Sequence, residues 1–100
     1  MTGTTKMIFR KWSNGAVIAL MPYELGTNSA GTCQSYEHIG QHGSADPQTV
    51  VLPTSPATPL EFAELKSELE RIGYVVEVIH RVPSNAYSFR ADALRAQYAA

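Results

Sequence analysis

The chain has 100 residues, of which 44% are hydrophobic and 17% are charged, and its formal net charge is −1. This length suits one domain and is too short for two independent cores. The composition is that of a folded globular protein rather than a disordered one. We therefore predict a single domain over residues 1–100, with residues 1–6 and the last residues frayed.

The charge pattern argues against a nucleic-acid partner. Proteins that bind nucleic acids concentrate basic residues on one face in order to displace counterions from phosphates. Here the eight basic residues are scattered, and only Arg10 and Lys11 are adjacent. Even with Arg81 nearby they would form only a thin patch.

Cellular location is constrained by what the sequence lacks. No apolar run approaches the ~20 residues that a membrane span requires, and the first residues have no signal-peptide pattern. Cys33 is the only cysteine, so no intramolecular disulfide is expected. We predict a cytoplasmic protein that does not contact the membrane.

The N-terminal segment predicts a β-hairpin. Residues 7–12 and 16–21 are rich in β-formers, and an Asn-Gly dipeptide between them favours a type I′ turn. A two-residue turn would pair Trp12 with Val17, and Pro22 would end the second strand. Both faces of this hairpin carry apolar side chains, so we expect both to be covered.

The next forty residues predict loops and one further strand. Residues 22–31 are rich in turn-forming residues and predict a loop. Alternation predicts a third strand over residues 32–39. Residues 40–47 predict another loop, with Gly40 and Gly43 shaping the turn, and residues 48–52 a short extended segment.

The clearest element is a helix over residues 59–72. Thr58 as N-cap, Pro59 at the first position and Glu61 three residues after the cap form a capping box. Gly73 suits the C-terminal cap. Apolar residues at helical spacing predict the buried face, which comprises Phe62, Leu65, Leu69 and Ile72.

The C-terminal part predicts a strand and a short helix. Residues 74–82 are almost continuously apolar, which favours a central strand. The Ala-rich segment 85–100 predicts either a short helix with Ala91, Leu94 and Tyr98 on one face or a mobile tail. The fold class is therefore α+β, with an antiparallel or mixed sheet of about three to five strands packed on the helix over 59–72.

Reactive side chains are densest between residues 33 and 42, and this cluster is the candidate site. Its members are Cys33, Tyr36, Glu37, His38, Gln41 and His42. As a metal site it would use Cys33, His38 and His42 with His80 or Glu37 as a fourth ligand, but their spacing lacks the paired ligands of known structural zinc sites. We therefore predict neither a metal nor a cofactor.

A catalytic interpretation of the cluster would use Cys33 or a nearby serine as nucleophile and His38 or His42 as base. Glu37 or Asp46 would then orient the imidazole. Regular alternation puts Cys33 and His38 on opposite faces of the strand, which argues against this arrangement. In the structural alternative, Tyr36 and His38 pack on the sheet, His42 lies in a turn and Cys33 is a buried hydrophobe.

Three stretches of the sequence carry a resemblance. They are Val-Ile-Ala-Leu-x-Pro at 17–22, Cys-x-Ser-Tyr-x-His-Ile-Gly-Gln-His-Gly-x-Ala at 33–45, and the helix and its flanks at 56–74. Together they resemble an uncharacterised family of small proteins found in bacterial, plasmid and bacteriophage genomes. The resemblance implies a mobile-element origin and emphasises Tyr36 and His38 together with Gln41 and His42, but it implies no activity, cofactor or partner.

Four aromatic residues suggest how the protein acts: Trp12, Tyr23, Tyr36 and Tyr74. Exposed aromatic surface marks contacts between proteins, whereas the structural alternative is core packing. We expect a non-enzymatic protein-interaction module that binds another protein or a second copy of itself, as a homodimer. The alternative is a small enzyme or metal-binding protein centred on Cys33, His38 and His42, which requires those side chains to converge.

Overall fold

The computed structural model describes residues 3–27, 29–38 and 41–99 and confirms the α+β class. The described chain forms one open sheet and three helices. The strands are β1 (Thr5–Lys11), β2 (Val17–Leu25), β3 (Cys33–Glu37), β4 (Gln41–Ala45), β5 (Ser55–Pro56) and β6 (Val76–Val78). The helices are α1 (Pro47–Val51), α2 (Pro59–Ile72) and α3 (Ala86–Ala99).

The sheet has the order β4-β3-β2-β1-β5, and these neighbours are antiparallel. Strand β6 also pairs with β1, in parallel, so β5 and β6 lie along the same edge of β1 at its two ends. The prediction of a central strand over residues 74–82 is therefore wrong. The segment is apolar because several of its side chains, among them Tyr74, Val76 and Val78, pack half-buried against the core.

The N-terminal hairpin forms as predicted, but its register differs by one residue. Lys11 pairs with Val17, and the Gly15 amide donates to the Trp12 carbonyl at 2.9 Å. Gly15 has a φ of 91°, which a residue without a side chain adopts at little cost. The loop therefore has three residues rather than two. Relative to the predicted pairing, this one-residue shift places the side chains of one strand on the opposite face of the sheet.

Both faces of the sheet are covered, as the sequence predicts. One face, here called the α2 face, buries Met7, Phe9, Ala19, Met21 and Tyr36 against Phe62, Leu65 and Leu69 of α2. The opposite face buries Ile8, Ile18, Leu20 and Cys33 against Val50 of α1. Ile72, which was also predicted to be buried, is 50% exposed at the last position of α2.

Helix α2 has the predicted boundaries because its start and stop signals are local. The Thr58 side chain accepts from the Glu61 amide, and the Glu61 side chain accepts from the Thr58 amide, so the capping box is complete. Gly73 follows the helix with a φ of 129°. These contacts satisfy backbone groups that have no partner within the helix.

Helix α3 confirms the predicted C-terminal helix within residues 85–100, and Ala91 and Leu94 are half-buried in it, but its most buried residues are others. Ala86 and Arg90 are buried, whereas Tyr98 is exposed. The Arg90 guanidinium donates to the carbonyls of Ala30 at 2.8 Å and Pro22 at 2.6 Å. The buried Arg90 therefore joins this helix to the end of β2, together with the edge-to-face packing of Phe89 on Tyr23.

Two predicted loops contain regular structure. Strand β2 continues through Pro22 to Leu25, and its ladder with β3 is irregular between Met21 and Leu25, where a proline is tolerated. The predicted loop over 40–47 contains β4, which forms by pairing along β3. Ile39 and Gly40, at the end of the predicted third strand and the start of this loop, lie outside the described residues.

Two further boundaries differ from the predictions. The predicted extended segment over 48–52 is helix α1, because the Asp46 side chain accepts from the Gln48 amide at 3.0 Å and Pro47 occupies the first turn. Thr5 and Lys6, which were expected to be frayed, belong to β1 and pair with β6.

Replacing Arg90 tests how α3 is held. Arg90→Ala leaves two buried carbonyl acceptors without their donor, so we expect a loss of about 2–4 kcal/mol in the free energy of unfolding. Arg95→Ala is the matched control, because Arg95 lies on the same helix, is exposed and pairs only with Asp92 among the described residues. It should change the free energy by less than about 0.5 kcal/mol. Urea denaturation followed by far-UV circular dichroism measures both; equal losses would contradict the role of Arg90.

Candidate functional site

Cys33 lies apart from the rest of the candidate cluster. It is fully buried on the opposite face of the sheet, packed with Ile8, Leu20 and Val50. Burial raises the pKa of its thiol and outweighs the opposing effect of the Arg90 charge. Among the described residues, no group of three or more His, Cys, Asp or Glu side chains is placed to hold a metal ion. Cys33 is thus a small buried side chain, as in the structural interpretation.

The β3–β4 hairpin brings Tyr36 and His42 side by side on the α2 face. They are cross-strand partners, and their rings pack edge to face with centroids 4.7 Å apart. His42 Nε2 lies 3.1 Å from the Tyr74 hydroxyl. Burial, followed by the charge of Glu24, raises the pKa of Tyr74. His42 was expected in a turn, but it lies in β4, and Gly43 beside it is also part of that strand.

Glu68 of α2 connects the helix to the end of β3. The Tyr36 hydroxyl donates to Glu68 Oε2, and His38 Nδ1 lies within hydrogen-bonding distance of Glu68 Oε1. The Glu68 side chain is 14% exposed, whereas that of His38 is 60% exposed. The sequence analysis did not identify Glu68 as a site residue. Its position next to the buried Leu69 is the only local signal, since the residues that it contacts are about thirty positions away.

The carboxylates that were expected to orient a histidine make other contacts. Glu37 Oε2 accepts from Trp12 Nε1 at 3.0 Å, and Asp46 caps α1. Gln41 is exposed at the first position of β4 and pairs with Glu37 in the ladder. Of the predicted site residues, the structure therefore brings Tyr36, His38 and His42 to one face, where the carboxylate that joins two of them is Glu68.

Two adjoining depressions run beside α2, and together they are called the Trp12 groove. The first has a volume of about 690 Å³ and lies between the β1–β2 turn, the end of β3 and α2. The second, of about 400 Å³, shares His38 and Glu64 with the first and continues along α2 to Arg71. The groove is thus elongated, with Trp12 at one end.

Carboxylates dominate the charge of the Trp12 groove. Four of the nine acidic residues of the chain line it, namely Glu37, Glu61, Glu64 and Glu68. Lys11 pairs with Glu61 from outside and, together with the Thr58 amide, lowers the pKa of that carboxyl. No cation or hydrogen-bond donor of the described chain contacts the Glu64 carboxylate. The groove therefore keeps an excess of negative charge at neutral pH.

The aromatic residues expected on an open sheet face are mostly packed. Tyr36 is buried, and Trp12, Tyr23 and Tyr74 are half-buried. The exposed aromatic side chains of the described chain instead lie on α3, and they are Tyr87, Phe89 and Tyr98. For Tyr36 the core-packing alternative is therefore correct, whereas Trp12 packs half-buried against the cluster on the face opposite α2 and also lines the end of the groove.

Two members of the thin basic patch make intramolecular contacts. The Arg10 guanidinium donates to the carbonyls of Val51 at 2.9 Å and Thr54 at 2.7 Å. Lys11 pairs with Glu61. These contacts fix the segment after α1 and the start of α2 against β1, so both cations serve the fold.

Comparison with known proteins adds no assignment: no protein-family model, curated protein or solved structure matches the chain. The resemblance to the family of small bacterial and bacteriophage proteins therefore stays a prediction. Within the described residues, no helix is long and apolar enough to cross a membrane.

A double-mutant cycle tests the link between α2 and β3. Because Tyr36 donates to Glu68 in a part-buried setting, Tyr36→Phe and Glu68→Gln should show a coupling free energy of about 0.5–3 kcal/mol. The control cycle combines Tyr87→Phe with Glu70→Gln, two exposed positions, and should show no coupling. Urea denaturation measures all variants. Additive losses at Tyr36 and Glu68 would contradict the link.

The thiol of Cys33 should react slowly in the folded protein. Burial restricts access, and the raised pKa keeps the thiol protonated at neutral pH, whereas the thiolate is the reactive form. Labelling with a disulfide reagent at mildly alkaline pH should therefore be slower than for a small free thiol by at least about a hundredfold. Denaturant should restore the ordinary rate. Rapid labelling of the native protein would instead support a reactive cysteine.

Proposed function

We propose that this protein is a small non-enzymatic protein-interaction module that binds a positively charged segment of another protein in the Trp12 groove. The observation that carries the proposal is the combination, in one elongated groove, of Trp12 at its end and an excess of carboxylates along it. Nothing in this mode of action requires a cofactor.

The chemistry of the groove suits arginine or lysine side chains. A cation is attracted both to carboxylates and to the face of an indole ring, and the two attractions add when both groups line the same recess. Trp12 Nε1 donates to Glu37, which fixes the ring beside that carboxylate. Glu64 offers a carboxylate that the described chain does not use.

The shape of the groove favours an extended segment over a small molecule. The two depressions adjoin at His38 and Glu64 and are open along their length. Small-molecule sites, by contrast, enclose most of the ligand surface. A chain segment with spaced cationic side chains would fill both depressions and direct its polar backbone towards water.

The alternative function, an enzyme or metal-binding protein, is centred on Cys33, His38 and His42. It needs those three side chains to converge, yet Cys33 is buried on the face opposite to His42. His38 and Tyr36 contact Glu68, which joins the helix to the sheet. The geometry therefore favours the interaction module.

The proposal has three further parts. The chain associates with a second copy of itself as a homodimer, it is located in the cytoplasm, and its gene originates from a mobile element. The origin is supported by the sequence resemblance at residues 17–22, 33–45 and 56–74. The cytoplasmic location is supported by the lone, buried thiol of Cys33.

A fluorescence titration tests the groove directly, because Trp12 is the only tryptophan of the chain. The probe is a short synthetic peptide of alternating arginine and glycine. We expect a saturable change in Trp12 emission and an affinity that falls as salt is added, since salt screens exposed charges. A peptide with glutamate in place of arginine should cause no change.

Matched variants of α2 separate groove binding from general attraction. Glu64→Gln removes a groove carboxylate and should raise the dissociation constant about two- to fivefold. Glu70→Gln removes the same charge from the same helix outside the groove and should leave the constant unchanged. Equal effects of the two variants, or equal binding of the glutamate peptide, would overturn the proposal.

A further inference from the structure

Among the described residues, no strand pairs with the outer edge of β4. Every residue of β4 pairs with β3, from Gln41 opposite Glu37 to Ala45 opposite Cys33, without a shift of register. In an antiparallel pair, alternate residues direct their amide and carbonyl groups away from the partner strand. No described strand lies on that side of β4, and the segment is exposed along most of its length.

The other edge of the sheet has features that prevent a further strand from pairing with it. There β1 is flanked by β5, which has two residues and contains Pro56, and by β6, which has three residues and carries Glu77 in its middle. Short strands, proline and charge are the devices that prevent further strands from adding to an edge. Strand β4 is longer than either β5 or β6, and its sequence Gln-His-Gly-Ser-Ala contains no Lys, Arg, Asp, Glu or proline, the nearest of these being Asp46 and Pro47 directly after it.

We infer that the β4 edge binds the β4 edge of a second copy of this chain, so that two sheets join into one across a two-fold axis. This inference rests on the self-association included in the proposed function and gives it a surface. Two-fold antiparallel pairing is self-complementary, because each strand supplies the groups that the other needs. Residues 41–45 contain no Lys, Arg, Asp or Glu, and His42 is their only ionisable side chain, so pairing confined to this segment brings no carboxylates, ammonium groups or guanidinium groups together.

Small side chains make this approach feasible. Gly43, Ser44 and Ala45 occupy the second half of the strand, and the Ser44 hydroxyl is already held by the Thr27 amide at 2.7 Å. A foreign strand could use the same backbone groups. A second copy of the chain is present wherever the protein is. It brings the same small side chains of Gly43, Ser44 and Ala45 to the contact.

Sedimentation velocity over a range of protein concentration tests the inference. The contact is short, so we expect a reversible dimer with a dissociation constant on the order of 0.1–1 mM, seen as a rise from the 10.9 kDa of one chain towards twice that mass. Gln41→Lys puts a charge at the exposed start of β4 and should raise the dissociation constant at least about tenfold. Gln97→Lys makes the same change on the exposed surface of α3 and should dimerise like the wild type.

Amide hydrogen exchange of the wild type gives a second measurement that needs no variant. Protection within residues 41–45 should rise with protein concentration, while that of exposed α3 amides should not. A wild-type protein that remains at the mass of one chain, or a dimer that Gln41→Lys and Gln97→Lys affect equally, would overturn the inference. Neither measurement uses the arginine peptide, so failure of the dimer leaves the Trp12 groove proposal standing, and failure of peptide binding leaves the dimer standing.

Discussion

Strands β1 and β2 are apolar on both faces, and most of the structure follows from the need to cover both. Met7 and Phe9 alternate with Ile8 along β1, and all three are buried. A single helix covers only one face of a sheet this small, so the chain needs a second layer. Helix α2 supplies the first layer with an apolar stripe, and α1 contributes Val50 to the second. The segment between β3 and α2, which contains α1, thus helps to cover the second face of the sheet.

Elements with local signals follow from the sequence, whereas elements that depend on distant residues do not. Helix α2 was predicted because its cap and capping-box residues, Thr58 and Glu61, lie within one turn of each other. The hairpin register was missed because Asn-Gly also fits a three-residue loop with Gly15 at positive φ. Strand β4 has little β-propensity of its own and forms because β3 pairs with it.

The candidate site divides in the same way. Alternation along β3 correctly separated Cys33 from Tyr36 and His38, since a strand directs successive side chains to opposite faces. Glu68 was missed, because no spacing rule links a helix carboxylate to a tyrosine 32 positions earlier. Only the packing of α2 across the sheet brings the two together. Polar contacts between distant elements depend on the tertiary fold, and a single sequence carries no direct record of them.

The arrangement of β5 and β6 has a mechanical consequence for α2. Strand β5 precedes the helix and β6 follows it, and both are hydrogen-bonded to β1, through Phe9 to Ala57 at 3.0 Å and through Met7 to Ile79 at 2.9 Å. The chain is therefore hydrogen-bonded to β1 both before and after the helix. Tilting it away from the sheet would break a ladder at one end or the other. The α2 wall of the Trp12 groove is thus anchored at both ends, so on the proposed function a bound segment would meet a recess that is already formed rather than one that must open to admit it.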